Sequence, residues 1–393
     1  MPRGFSKQRA GPLYSLFYGG QFVLLGVQLP FFAGWLHING FSAAEIGLIT
    51  GVALIARLAL GPFIAFWADH QTDERRALRI VSFVFMLGAA GLIFASGKIL
   101  ITAAALIVLW AFGVLLPLSD SAVLRADRNG YLHYGQTRAA GSVFFLTTTV
   151  LAGAAFTRFG IEASVWVMAA AAGFAFVVSL VLPQGAGGRG GAKPVSWREA
   201  PALLASPVFA AVLLSAGLTQ GAHAVYYAFS YLRWTEIGYS DQIIGLLWAT
   251  GVVAEVFVLT RARGVARRVS PAGLLALGGG AAALRWTITA MEPALWLLFL
   301  IQILHAFTFA AAYLGSVEFL DRAVPHRLVN TGMTLMSATG VGAITGVATV
   351  IAGFVWNGYG PASAYMIMAA MGVGAFVTAL FIARRWDGKK IFA

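Results

Sequence analysis

The sequence predicts an all-α membrane protein, with twelve transmembrane helices in two pseudo-symmetric six-helix bundles. Three observations predict it. Of 393 residues, 59% are hydrophobic and only 11% are charged, where a soluble domain carries about 25% charged residues. The apolar residues come in long blocks, and roughly 20 helical residues cross a bilayer core of about 30 Å. Lys and Arg gather at alternate ends of those blocks. In lipid every backbone N–H and C=O must be bonded within the chain, so blocks of this kind are helices. A soluble helical core would show charged outer faces instead, and those are missing.

The first six spans are expected near 11–36, 45–68, 78–97, 99–122, 137–157 and 163–182. The second six are expected near 207–231, 241–260, 272–290, 294–318, 328–354 and 362–383. Residues 1–182 then form an N-terminal bundle and 207–393 a C-terminal one. Between them 183–206 reads as a cytoplasmic linker, because Gly, Pro and charge occur together there. The first block is too long for a signal-peptide core and lacks a clear cleavage pattern. Of the 27 Lys and Arg, Lys98, Arg158 and Arg233 fall on the far side, and Arg57, Arg138 and Arg285 fall within spans. All the rest lie on the side of the N-terminus, which places both termini in the cytoplasm. This distribution also explains the net charge of +12 without nucleic acid.

Other classes are disfavoured by what the chain lacks. It has no cysteine, hence no disulfide and no thiolate metal site. "GAGGRGGAK" (185–193) lacks the Lys-Ser/Thr ending of a phosphate loop and reads as a flexible linker. The six histidines, His37, His70, His133, His223, His305 and His326, are scattered and none pairs with acids at metal-ligand spacing. No Ser-His-Asp arrangement is identifiable. The reading is a monomeric non-enzyme without cofactor or metal, whose partners are the bilayer, a small molecule and protons.

A charge at mid-membrane costs about 2.5–3.5 kcal/mol on insertion scales, so each one is a functional candidate, with a structural ion pair as the competing explanation. Arg57 lies twelve residues before Asp69, roughly 18 Å of helix, too deep to snorkel comfortably to water. It must face the protein interior. Asp120 ends the fourth span and Arg138 opens the fifth, so the two are expected to approach. Glu255 in "GVVAEVFVLT" sits among apolar residues and is a candidate proton carrier, or the partner of a buried Arg. Arg285 precedes His305 by 20 residues across the turn at Glu292-Pro293, which places them at similar depth on antiparallel neighbours. A lone membrane histidine is also often an interhelical hydrogen bond. Gln21 and Gln28 lie in the first span, Gln220 and His223 in the seventh, and Glu318 at a helix end.

Six spans, a linker and six more resemble the major facilitator superfamily of secondary transporters. "GPFIAFWADHQTDERRALR" (61–79) is similar to its signature loop, with Gly61, Asp69, Arg75 and Arg76. The resemblance implies that Gly61 lets helices approach and that Asp69 bridges to a helix end in one conformation only. The matching "TRARGVARRVSP" (260–271) keeps the basic residues without the Asp.

"YGQTRAAGSVFF" (134–145) and "LRWTITAMEPALWLLFLIQILHAF" (284–307) resemble lactose permease and its relatives. That likeness places Arg138, Asp120, Arg285 and His305 on that family's charged positions. Thr308 stands where the family has its proton-carrying Glu, and Phe145 where it has a sugar-stacking Trp. "GAHAVYYAFSYLRW" (221–234), "IGLLWATGVVAEV" (244–256), "QILHAFTFAAAY" (302–313) and "PLSDSAVLR" (117–125) resemble the 3-phenylpropionate permease family.

This resemblance implies proton-coupled symport of an aromatic monocarboxylate across a bacterial inner membrane by alternating access. Glu255, Asp120 and His305 are then the proton-coupling candidates. Arg57, Arg285 and Arg138 are candidate cations for the substrate carboxylate. Tyr226, Tyr227, Trp248, Phe144, Phe145 and Phe309 are candidate ring surfaces, with His223, Gln220 and Gln28 as further binding candidates. A sugar or nucleoside symporter, a lipophilic drug exporter and a non-transport assembly or sensor protein remain the alternatives.

Overall fold

The computed structural model describes residues 7–69, 71, 73–183, 200–325 and 328–391. Most of the expected linker, 184–199, together with His70 and His326, lies outside the described residues. All regular structure described is helical. The helices are α1 (Lys7–Ile38), α2 (Ala43–Asp69), α3 (Glu74–Phe94), α4 (Gly97–Arg128), α5 (Tyr134–Phe159), α6 (Ala163–Val181), α7 (Ala200–Ala205) and α8 (Pro207–Gly221). They continue as α9 (Ala224–Glu236), α10 (Asp241–Thr260), α11 (Ala262–Arg268), α12 (Pro271–Ala290) and α13 (Leu295–Gln302). A π-helical segment π1 (Ala306–Ala311), α14 (Ala312–Ala323), α15 (Val329–Leu335), π2 (Met336–Ala343) and α16 (Ile344–Arg385) complete the chain. Among the described residues, ten helical runs are long and apolar enough to cross a bilayer.

Local chemistry sets the ends. Ser206 and Ser270 accept from the amides of Phe209 and Gly273, and each is followed by Pro at the first helical position. Both are favoured starts, because the cap satisfies an orphan donor and Pro lacks one. After α1 and α9 the chain turns through Gly40 and Gly238, both in the left-handed region. The following amides, Phe41 N and Tyr239 N, bond back to Leu36 O and Trp234 O, a geometry that favours glycine.

The chain divides into two compact units. The first comprises Met1–Ser42, Val52–Gly190 and Ser230–Leu246, and the second Ala43–Gly51, Gly191–Phe229 and Leu247–Ala393. In the first, α1 packs on α5 and α6, and α3 on α4 and α6. Small residues bring the backbones together: a Cβ on Gly26 would lie 2.9 Å from Phe145 O, and the Thr149 hydroxyl donates to Gly26 O at 3.1 Å. In the second, α12 packs on α16, and α16 on α8. The core at one end of that unit joins Phe209, Leu275, Phe319, Leu320 and Ile382. α16 is interrupted by Gly360 at φ 82°, followed by Pro361.

Close backbone approach between membrane helices selects small residues at the contact. Gly279 is such a position: an added Cβ would lie 2.5 Å from Phe376 N and 3.0 Å from Gly372 O. At Gly61, by contrast, an added Cβ would meet nothing within 4 Å among the described residues. Gly279→Ala is therefore expected to destabilise the protein by about 1–3 kcal/mol, since backbone atoms cannot swing aside. Gly61→Ala should be neutral or slightly stabilising. Thermal unfolding of the two purified variants checks this, and equal shifts would contradict the packing described.

Candidate functional site

Arg285 is the centre of the second unit's polar chemistry. It lies on α12 and is fully buried, at 0% exposure. Its Nη1 donates to His305 Nδ1 at 3.1 Å and to Thr308 Oγ1 at 3.3 Å, and its Nη2 donates to Gln302 Oε1. These three acceptors come from one short stretch, and the Tyr226 side chain also hydrogen-bonds to Arg285. In a regular α-helix positions 302 and 308 would point about 120° apart. Here the backbone tightens instead, with Ile303 N to Leu300 O, Leu304 N to Ile301 O and Ala306 N to Ile303 O, and then opens into π1. In a tight turn residues three apart eclipse, which brings Gln302 and His305 to one side. The likeness to regular membrane spans does not anticipate this break.

Donor and acceptor chemistry fixes the histidine tautomers. A guanidinium only donates, so His305 Nδ1 must carry a lone pair and the proton sits on Nε2. That Nε2 faces Glu255 Oε2 at 3.4 Å. His223 is the reverse case. Its Nδ1 lies 3.1 Å from Thr219 O and 3.2 Å from Gln220 O, both acceptors only, so Nδ1 carries the proton. His223 Nε2 lies 2.9 Å from Thr308 Oγ1. The Thr308 hydroxyl accepts from Arg285 and donates its own proton to His223.

Aromatic rings close around this network. Tyr226 stacks on Trp248 with centroids 4.4 Å apart, and Phe309 stacks on His305 at 5.4 Å. The guanidinium carbon of Arg285 lies 4.3 Å from the Trp286 centroid and 4.8 Å from that of Tyr226. Tyr227 stacks on His223 and is half-buried. The rings proposed as a ligand surface thus largely pack on one another. Three N–H donors of this cluster, Arg285 Nε, Trp248 Nε1 and Trp286 Nε1, are buried with no acceptor among the described residues.

The remaining candidates belong to the first unit. Asp120 and Arg138 do meet, at 3.4 Å. Tyr18 donates to the same Asp120 oxygen at 2.5 Å, and Arg138 lies over the Phe22 ring at 4.5 Å. Beside them Gln21 donates to Ser119. Arg57 is half-buried, its stem laid against Gly113, and its guanidinium has no ion-pair partner among the described residues. Phe145 is buried on α5, Phe144 packs on Gly19, and Gln28 is half-buried on α1. In the signature loop Arg75 does not await a partner. It donates to both oxygens of Asp73 at 2.7–3.0 Å, which holds that carboxyl below the usual carboxylate range, and to Leu182 O. Arg76 is exposed, and the side chain of Asp69 lies outside the described residues.

Gln302 and Trp286 are absent from the sequence candidates. The signal for Gln302 is its spacing, three residues before His305 and six before Thr308. Arg285→Lys keeps the charge but loses the fork that reaches several acceptors. It is expected to lower stability by about 1–3 kcal/mol for each buried partner left unsatisfied. Arg57→Lys, which removes no hydrogen bond among the described residues, should leave the unfolding temperature near that of the unmodified chain. An equal fall in both would count against the Arg285 network as the structural centre.

Comparison with known proteins gives the wider setting. The model of the MFS_1-like family matches residues 13–367. The chain is 29% identical over 370 residues to the probable 3-phenylpropionic acid transporter of Escherichia coli (strain K12), covering 92% of this chain and 95% of that one. It is 24% identical over 377 residues to the maltose permease of Geobacillus stearothermophilus, covering 95% and 94%. Among solved structures, the nucleoside transporter NupG superposes with a TM-score of 0.78 at 17% identity, over 96% of this chain and 100% of that one. That likeness speaks for the fold alone. With 355 consecutive positions matched by the family and apolar helices throughout, the chain belongs to the MFS_1-like family and is a multi-pass membrane transporter of the major facilitator superfamily, not an enzyme.

Proposed function

We propose that the protein is a proton-coupled symporter of a small organic anion, an aromatic monocarboxylate, working by alternating access. One observation carries the reading. Arg285 is a fully buried cation whose hydrogen-bond partners are all neutral, and its Nε–H is still without an acceptor among the described residues. A carboxylate offers that missing acceptor and the compensating charge at once. The rings around it supply apolar and π surface for the rest of the ligand.

Proton coupling follows from charge balance. In this network Glu255 and Arg285 are joined through His305, and their charges offset one another. A ligand carboxylate on Arg285 adds a second anion to a network that already holds Glu255, and one proton taken up on Glu255 restores the balance. Glu255 is thus the first proton carrier, and His305 Nε2–H faces it. Asp120 and Arg138 already form a direct pair, and we assign them to holding α4 and α5. The substrate assignment draws support from the 29% identical relative, described as a probable 3-phenylpropionic acid transporter.

We further propose twelve crossings in two groups of six, with both termini cytoplasmic and the linker at 183–206. Counting α12 as a crossing, and α16 as two across Gly360-Pro361, supports the number. The placement of Lys and Arg supports the orientation.

A thermal-shift panel on purified protein tests the substrate: 3-phenylpropionate should raise the unfolding temperature while maltose leaves it unchanged. Stabilisation by maltose alone would favour the sugar symporter. Glu255→Gln should bind the acid and take up fewer protons on binding than the unmodified chain, measured with a pH dye in weak buffer. Undiminished uptake would remove Glu255 from the mechanism.

A further inference from the structure

We propose that His223 is a second proton-binding site, switched by the Thr308 hydroxyl according to whether Arg285 is occupied by an anion. The proposal rests on the reading of Arg285 as an anion site. Its own basis is the hydrogen-bond geometry around Thr308, a residue at which this chain carries a hydroxyl and no carboxylate.

The Thr308 oxygen has three neighbours that define two states. In the first it accepts from Arg285 Nη1 at 3.3 Å and, with His223 neutral, turns its proton to His223 Nε2 at 2.9 Å. His305 O lies 3.4 Å away and is a second acceptor within reach of the same hydroxyl. A hydroxyl rotates freely to suit its partners. If its proton turns to His305 O, the lone pair facing His223 becomes an acceptor. His223 Nε2 then holds a proton taken up from water and donates it to Thr308. His223 Nδ1–H stays on Thr219 O and Gln220 O throughout, so the ring needs no reorientation to become doubly protonated.

Arg285 decides which state prevails. While it donates to Thr308, a cation stands one hydroxyl away from His223, and a charged imidazole there is opposed. A carboxylate seated at the Arg285 Nε–H removes that opposition by balancing the cation, and it leaves the Nη1 bond to His305 in place. The other groups that face His223 are His305, with ring centroids 5.2 Å apart, and Tyr227, stacked at 5.3 Å. His305 is neutral for as long as its Nδ1 accepts from Arg285, and Tyr227 carries no charge at neutral pH. Neither opposes a proton on His223. The site is buried at 0% exposure, so the proton is retained while the ligand is.

The test is nitrogen NMR of histidine-labelled full-length protein in detergent, at pH about 6, where an ordinary histidine titrates. Without ligand His223 should show the neutral Nδ1–H form. Saturating 3-phenylpropionate should raise its ratio of charged to neutral form about tenfold, the effect of one pH unit. Arg285→Gln should do the same without any ligand, because it removes the cation. Thr308→Val should suppress the rise in both settings, because it removes the acceptor for Nε2–H. A response in Arg285→Gln with none to 3-phenylpropionate would sink the substrate assignment and keep His223. Binding of 3-phenylpropionate with His223 fixed in its neutral form would overturn the second site and leave the transporter reading intact. Should Arg285→Gln prove too unstable to purify, the ligand arm in the unmodified chain with Thr308→Val decides the same question.

Discussion

A guanidinium held away from water must find acceptors for its N–H groups and something to balance its charge, and the second unit is arranged around that demand. Arg285 meets the first requirement with neutral side chains, among them Gln302, His305, Thr308 and Tyr226. Meeting it bends the chain, because Gln302, His305 and Thr308 reach one guanidinium only where the helix tightens and then widens into π1. π-helical turns sit disproportionately at functional positions. Here the cause is visible: an α-helical register would turn these acceptors away from one another.

The second requirement separates the two polar clusters. In the first unit Asp120 lies directly against Arg138, with Tyr18 adding a hydrogen bond, so opposite charges cancel on contact. In the second, Glu255 and Arg285 are held apart by an imidazole that accepts from one and faces the other. A direct pair is a closed arrangement and is hard to exchange for another partner. In the proposed mechanism the separated pair serves the incoming anion and the proton, while the direct pair holds two helices together.

Much of the fold was legible because lipid leaves the chain few choices. Apolar blocks must be helical, and the described residues form ten helical runs long and apolar enough to cross a bilayer. The Asp120–Arg138 and Arg285–His305 contacts were legible because short turns force antiparallel neighbours to equal depth. The contact of Glu255 with His305 was not, since those residues lie on helices that are not consecutive. Gln302 was hidden for a different reason: in a regular α-helix it would point about 120° away from Thr308, and nothing in the sequence marks the break that brings both to Arg285.

The sequence by itself determined that this is an all-helical membrane protein, because hydrophobic length acts locally along the chain, and its resemblance to the major facilitator superfamily implied a transporter. It also nominated the charged residues, since any ionised group in a span is costly enough to need a reason. Only the tertiary structure decided how those residues are used. Whether a buried charge is cancelled, shared or left open depends on which acceptors reach it. That is settled by helix packing and by a local break in helical register, neither of which is written in the order of residues.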